Sequence, residues 1–206
     1  MRDRIKEIAT ELLITHGYRG LRFKDIADRL GTTRANIHYH FGTKKKLIEE
    51  VIHEYVDGTT RQIVDIWTDQ QTSFIDKTMR MMEFNRLRYA RFNPRGKSGR
   101  PWSLISRMRL EAELLSKSSK DVLRDFSLKT TECVTAAVLH AQSTGELSPD
   151  APTNDIAVQI VAVIDSAGSI TSDAGSFDRL EHLYTAYVHI LTHAYGGKKP
   201  AQAVAE

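Results

Sequence analysis

Cysteine is all but missing from this chain of 206 residues: Cys133 stands alone. A single thiol excludes an internal disulfide framework and a multi-cysteine zinc site, and it fits a reducing, cytoplasmic setting. Long hydrophobic runs are missing too. The longest, about Ile156–Ile164, is interrupted by Gln159 and falls short of the ~20 apolar residues that a spanning helix needs, so no membrane partner is expected. The N-terminal MRDRIKEIATELL is charged and helix-periodic where a secretory leader would need an apolar centre, so no leader is expected. Strand-type alternation of apolar and polar residues is missing throughout, as are internal repeats. So are the motifs of catalysis: there is no HExxH, GxSxG, phosphate loop or dinucleotide fingerprint. Glu111 and Glu113 lie two residues apart, so a helix turns them away from each other. No enzymatic activity, metal or cofactor is expected.

What is present is an ordinary globular balance, 41% hydrophobic and 27% charged, with the charge unevenly placed. Residues 1–48 hold eleven Lys/Arg against five Asp/Glu, a net +6, while the remaining 158 residues hold 18 against 21, a net −3. A basic end on a slightly acidic body points to a polyanionic partner for the first segment alone.

Periodicity predicts helices from end to end, hence an all-α fold of about nine helices. Ile5, Ile8, Ala9, Leu12 and Leu13 make a stripe that ends at Gly17, and Phe23, Ile26, Ala27 and Leu30 a shorter one closed by Gly31. Thr33 caps a third helix bearing Ile37 and Phe41. Gly42-Thr43 closes that helix and caps a fourth, which starts at Lys44-Lys45-Lys46 and runs to Trp67. Further helices fit about Thr72–Phe92, Trp102–Leu115, Ser119–Ser143, Asn154–Thr171 and Phe177–Tyr195. The stretch Asn93–Pro101 is the clearest loop, and residues 198–206 are expected to form a flexible tail.

The two short helices around Leu30-Gly31-Thr32-Thr33 carry the functional reading. If Ile26, Leu30, Ile37 and Phe41 pack against Ile8, Leu12 and Leu21, then Arg34, Ala35, Asn36, His38 and Tyr39 face outward. Those side chains suit a DNA major groove: Arg bonds guanine edges, Asn bonds adenine, and Ala meets a thymine methyl. Thr33, His40, Thr43 and Lys44 flank them as candidate phosphate contacts, with Lys24 on the preceding helix.

The segment GLRFKDIADRLGTTRANIHYHFGTKKKL resembles the DNA-binding segment of the TetR (tetracycline repressor) family. The resemblance rests on Ile26-Ala27, Gly31, the cap Thr33, the run Ile37 to Phe41, and Thr43-Lys44. It covers about the first quarter of the chain. Two positions depart from the pattern: His38 stands where Tyr is usual, and Arg22 stands where Thr or Ser usually caps the second helix.

The resemblance implies a helix-turn-helix domain over 1–48 and a helical ligand-binding and dimerisation domain over 49–197. It further implies a homodimeric repressor, released from a pseudo-palindromic operator by an unknown small-molecule effector. Dimerisation is assigned to the last two helices, about 154–171 and 177–195, the most apolar of the chain. Where the family keeps its pocket, the candidate ligand contacts are Trp67, Phe84, Leu87, Arg88, Phe92, Trp102, Ile105, Met108 and Arg109. For each, plain core packing is the stronger reading. The basic run Arg86, Arg88, Arg91, Arg95, Lys97 and Arg100 reads either as an anion site, for a thioester or carboxylate, or as a solvated face. His182, His189 and His193 share a helix face that reads as polar surface or interface rather than as a metal site. Cys133, among Val134, Ala136 and Ala137, reads as a buried inert thiol. The rival functions are a sequence-tolerant architectural DNA-binding protein and an enzyme with an unrecognised site in the body.

Overall fold

The computed structural model describes residues 1–96 and 98–197. Among them the elements are α1 (Arg2–Gly20), α2 (Phe23–Leu30), α3 (Arg34–Phe41), α4 (Lys44–Thr68), α5 (Phe74–Phe92) and α6 (Leu104–Leu110). A 3-10 turn follows over Ala112–Leu114, then α7 (Lys117–Ser143), α8 (Thr153–Ala174) and α9 (Asp178–Tyr195). There is no strand among the described residues, only an isolated bridge between Leu147 and Gly196. Lys97 and the tail expected at 198–206 lie outside the described residues.

The first three helices close on one small core. Ile5, Leu12 and Leu13 of α1 meet Leu21, Ile26 of α2, and Ile37 and Phe41 of α3, all buried. Burying each such side chain contributes roughly 1.5–3 kcal/mol. α2 ends at Gly31 in the left-handed region (φ 63°), which an unbranched backbone enters without steric cost. The chain thereby turns sharply into α3, whose first turn is capped by Thr33 Oγ1 accepting from Asn36 N at 3.2 Å. α1 is not one smooth helix. Gly17 breaks it with φ 72° and ψ −175°, the place where the first apolar stripe was expected to end.

α4 joins this unit to the body without a loop. Its start is capped by Thr43, which accepts from Lys46 N at 3.2 Å. Its length packs first on α1 and then along α7. The expected boundary at residue 48 therefore falls inside a continuous helix. The body stacks α4 on α7, α7 on α8, α8 on α9 and α5 on α9. The start of α5 is held by Glu146, which accepts from Phe74 N (2.7 Å) and Ile75 N (3.0 Å).

Boundaries differ from the periodicity reading where caps decide them. α5 starts after Ser73 and α7 after Ser116, because those hydroxyls accept from backbone N–H groups three residues on. The stretch expected as one helix over Trp102–Leu115 is broken at Glu111 (φ −114°, ψ 28°). α8 runs on to Ala174. The helix built around the short apolar run is longer than the run itself: it spans 22 residues, long and apolar enough by length and composition to cross a membrane. It packs on α7 and α9 through Ile156, Ile160 and Ile164.

Candidate nucleic-acid interface and ligand cavity

Burying Ile37 and Phe41 turns the opposite side of α3 outward. Arg34, Ala35, His38 and Tyr39 are exposed, with Tyr39 at 84%. Asn36 is half-buried, and its Nδ2 donates to Thr32 Oγ1 at 2.9 Å. His40 sits half-buried beside Tyr39, with ring centroids 5.5 Å apart. Thr33, Thr43 and Lys24 are exposed. Lys44 is half-buried, with Nζ 5.1 Å from the centre of the Tyr18 ring and donating to Arg19 O at 3.3 Å. Burial holds its ammonium below the usual lysine range, opposed by the charge of Glu111.

A groove of about 610 Å³ lies among these residues, lined in part by Arg22, Lys24, Arg34, His38 and Lys44. Arg22 occupies the N-cap position of α2 without a capping bond. Its guanidinium instead grips Asp25 with two 2.9 Å bonds. Electrostatically the groove's edge is unusual. Lys44, Lys45 and Lys46 fill the first turn of α4, which has no acid. That is the positive end of the helix dipole, where cations are disfavoured and anions welcome.

In the body, a cavity of about 20 Å³ lies between α4, α5, α6, α7 and α8. Of the ligand contacts expected from sequence, Arg88, Trp102, Ile105 and Arg109 line it. Phe84 stands beside it, its ring 5.0 Å from the Arg88 guanidinium. The structure does not bring Trp67, Leu87, Phe92 or Met108 to this cavity. Leu87 is 66% exposed, because it lies about 200° around α5 from Asn85, which faces inward. Trp67 lies one turn beyond the lining residue Ile63 and packs on Phe74, with centroids 5.6 Å apart. Met108 is fully enclosed in the core, and the half-buried Phe92 ring stands beside Arg91.

Several polar groups at the cavity carry no periodic signal. Asp165 on α8 forms an ion pair with Arg109 Nη1 at 2.9 Å and accepts from the Ser127 hydroxyl at 2.9 Å. Asn85 Nδ2 donates to the buried Tyr184 hydroxyl at 3.0 Å, and burial pushes that phenol well above its usual range. Arg88 donates to the Tyr55 hydroxyl. The basic run does not form one patch: Arg86 pairs with Glu83 and Glu181, and Arg91 with Glu11. Lys97 is outside the described residues.

α6 links the two sites. Its Ile105, Ser106 and Arg109 face the cavity. At its end Glu111 accepts from Tyr18 N at 2.7 Å and pairs with Arg107 at 3.1 Å. That N–H is available because Gly17 has broken α1. His182, His189 and His193 are exposed on α9, and no group of three metal-ligating side chains occurs among the described residues.

Residues 5–51 match the sequence model of the bacterial regulatory proteins of the tetR family. The HTH-type transcriptional repressor KstR2 of Mycolicibacterium smegmatis is 30% identical over 70 residues, 32% of this chain and 34% of that protein. Its namesake from Rhodococcus jostii is 28% identical over 75 residues, 35% and 37% of the two chains. The match thus spans about a third of each curated relative. Solved structures share the whole fold. A TetR transcriptional regulator from Legionella pneumophila has a TM-score of 0.73 at 21% identity, covering 93% of this chain and 97% of its own. A TetR-family regulator from Agrobacterium tumefaciens has a TM-score of 0.79 at 17% identity, covering 92% and 96%. A transcriptional regulator from Saccharomonospora viridis, solved in complex with choline, has a TM-score of 0.72 at 24% identity, covering 96% and 98%.

Proposed function

We propose that this chain, whose residues 5–51 match the tetR-family sequence model, is a homodimeric cytoplasmic repressor of the TetR family that leaves its operator when a small molecule occupies the body. The observation that carries the DNA reading is the outward face of α3 beside three lysines at the positive end of α4. Lys44 folds back onto Tyr18 and Arg19 O, while Lys45 and Lys46 stay exposed; a phosphate seated on the first turn of α4 would neutralise their charge and accept from backbone N–H groups there. In this reading Arg34, Ala35, Asn36, His38 and Tyr39 enter the major groove. Lys24, Thr33, His40, Thr43 and Lys44 hold the backbone.

The dimer is assigned to α8 and α9. Their outer faces carry Val158 and Ile190, 60% and 68% exposed, with the small residues Ala162 and Ser166 between. Two helices from each copy would cover these faces as a four-helix bundle and set two α3 helices one turn of DNA apart. The effector is assigned to the cavity lined by Arg88, Trp102 and Arg109. Opening it must move α6, and α6 holds the DNA-reading unit through Glu111 and Tyr18 N. Release then follows if the effector binds the moved state more tightly than the DNA-bound one.

The test uses a site selected by the purified protein from a random duplex pool. Arg34→Ala with Asn36→Ala removes two base contacts worth about 1–3 kcal/mol each. Affinity should fall by at least ~30-fold, with the dimer retained by light scattering. Unchanged affinity sinks the assignment of α3. Displacement of the wild-type protein by random-sequence competitor at moderate salt would favour the architectural alternative.

A further inference from the structure

α5 carries the arginines Arg80, Arg86, Arg88 and Arg91. Three have a carboxylate partner: Arg80 has Asp69, Arg86 has Glu83 and Glu181, and Arg91 has Glu11. Arg88 is the most enclosed by aromatic rings and has no Asp or Glu at ion-pair distance among the described residues. It donates only to the Tyr55 hydroxyl. Its guanidinium carbon lies 5.1 Å, 5.0 Å and 5.9 Å from the ring centres of Tyr55, Phe84 and Trp102. The half-buried guanidinium therefore stands against aromatic rings with its charge unpaired and with donors left over for an incoming anion.

The rest of the cavity fixes the charge of that anion. Arg109 is committed to Asp165 and Ser127, the latter at 2.5 Å. Asp165 is the cavity's carboxylate, and Arg109 and Ser127 already engage it. Two guanidiniums against one carboxylate leave a single positive charge. A cationic ligand would meet no free acid. A phosphate dianion would leave a buried negative charge, which is costly.

We propose that the cavity takes a small monocarboxylate with an apolar, preferably aromatic, body, its carboxylate held by Arg88 and its body among Tyr55, Phe84 and Trp102. A planar fork matched to a planar carboxylate gives two parallel charge-assisted bonds, which a lysine cannot provide. The cavity of about 20 Å³ has room for about one water and none for such an acid. Binding therefore requires the helices around the cavity to part, with Arg88 leaving the Tyr55 hydroxyl as the acid enters. The inference deepens the effector reading above and rests on its placing the effector here.

Titration of the full-length protein with matched pairs, phenylacetate against phenylacetamide and hexanoate against hexanamide, tests it. Calorimetry and intrinsic tryptophan fluorescence report binding, and tetramethylammonium serves as the cationic control. Each acid should bind about tenfold or more tightly than its amide. Arg88→Gln should abolish that preference, and Arg91→Gln should keep it. Should Arg88→Gln fail to fold, Arg88→Lys keeps the charge and should lose most of the preference. The inference is overturned if the amides match the acids, if no acid binds, if tetramethylammonium binds more tightly, or if the preference survives in the Arg88 variant. An acid that binds through Arg88 without releasing DNA upholds this site and refutes the release mechanism. Release by a neutral ligand alone does the reverse.

Discussion

Replacing Gly17 by alanine attacks the joint between the DNA-reading unit and the body at its narrowest point. Gly17 holds φ 72° and ψ −175°, a region essentially closed to other residues, and forcing a side chain there costs of order 1–3 kcal/mol. An added Cβ would stand 2.0 Å from Glu111 Oε1 and 2.8 Å from Arg107 Nη2. Both are ends of flexible side chains, so the clash resolves by pushing the carboxylate away. That movement breaks the 2.7 Å bond from Tyr18 N, and a hydrogen bond to a charged group is worth about 1.5–3 kcal/mol. Together the two effects amount to about 2.5–6 kcal/mol. At about 2–4 °C per kcal/mol for a chain of this size, Tm should fall by at least ~5 °C. Differential scanning calorimetry of the full chain, with Glu111→Gln alongside, separates the contributions. Glu111→Gln keeps the backbone strain-free and should lose only the charged part of the bond, a smaller shift. If Gly17→Ala melts within a degree of wild type, the break in α1 is not what holds Tyr18 N against Glu111, and the coupling route through α6 loses its anchor.

Two further predictions concern titration and thiol chemistry. Asp69 accepts from the Thr72 hydroxyl, Arg80 and Gln71 N, and these bonds hold its carboxyl at about 2. A depressed pKa means its contribution is complete above the usual carboxylate range of about 4 and disappears as pH falls through about 2. Asp69→Asn should therefore lower Tm near neutrality and leave it unchanged near pH 2. An equal difference at both pH values refutes the pairing. Cys133 is 6% exposed, and burial raises its thiol pKa. Iodoacetamide at mildly alkaline pH should label the urea-unfolded chain at least about tenfold faster than the native one. Equal rates would show that α7 does not cover it.

The parts of the fold legible in sequence are those whose determinants lie within a few residues. α2 and α3 start and stop where Gly31, Thr33 and Gly42 stand, because caps and left-handed glycines act locally. The break in α6 was not legible. There Glu111 meets a backbone N–H 93 residues away, and spacing alone shows only that Glu111 and Glu113 cannot act as a pair. Leu87 and Asn85 invert the usual rule. The amide goes inside because Tyr184, 99 residues on, supplies its partner, and the leucine is left outside. Asp165 is similar: an acid on the most apolar helix, answered by Arg109 and Ser127 from other elements. The outward placing of Arg34, Ala35, His38 and Tyr39 on α3 was legible because exposure follows from which residues are apolar, whereas Asn36 is half-buried against Thr32. The cavity was only partly so, because its polar lining is assembled across helices.

α4 runs unbroken from Lys44 to Thr68, 25 residues, a rod of about 37 Å. It behaves as a drive shaft, its Glu50 and Glu54 paired with Arg2 and Lys6 of α1 and its length laid along α7. One residue inserted in such a shaft rotates everything beyond it by about 100° and advances it by about 1.5 Å. Swapping the body of this protein for that of a relative therefore has to preserve the residue count along α4, not merely the two ends. Register in that helix decides whether a change of shape in one half reaches the other in phase.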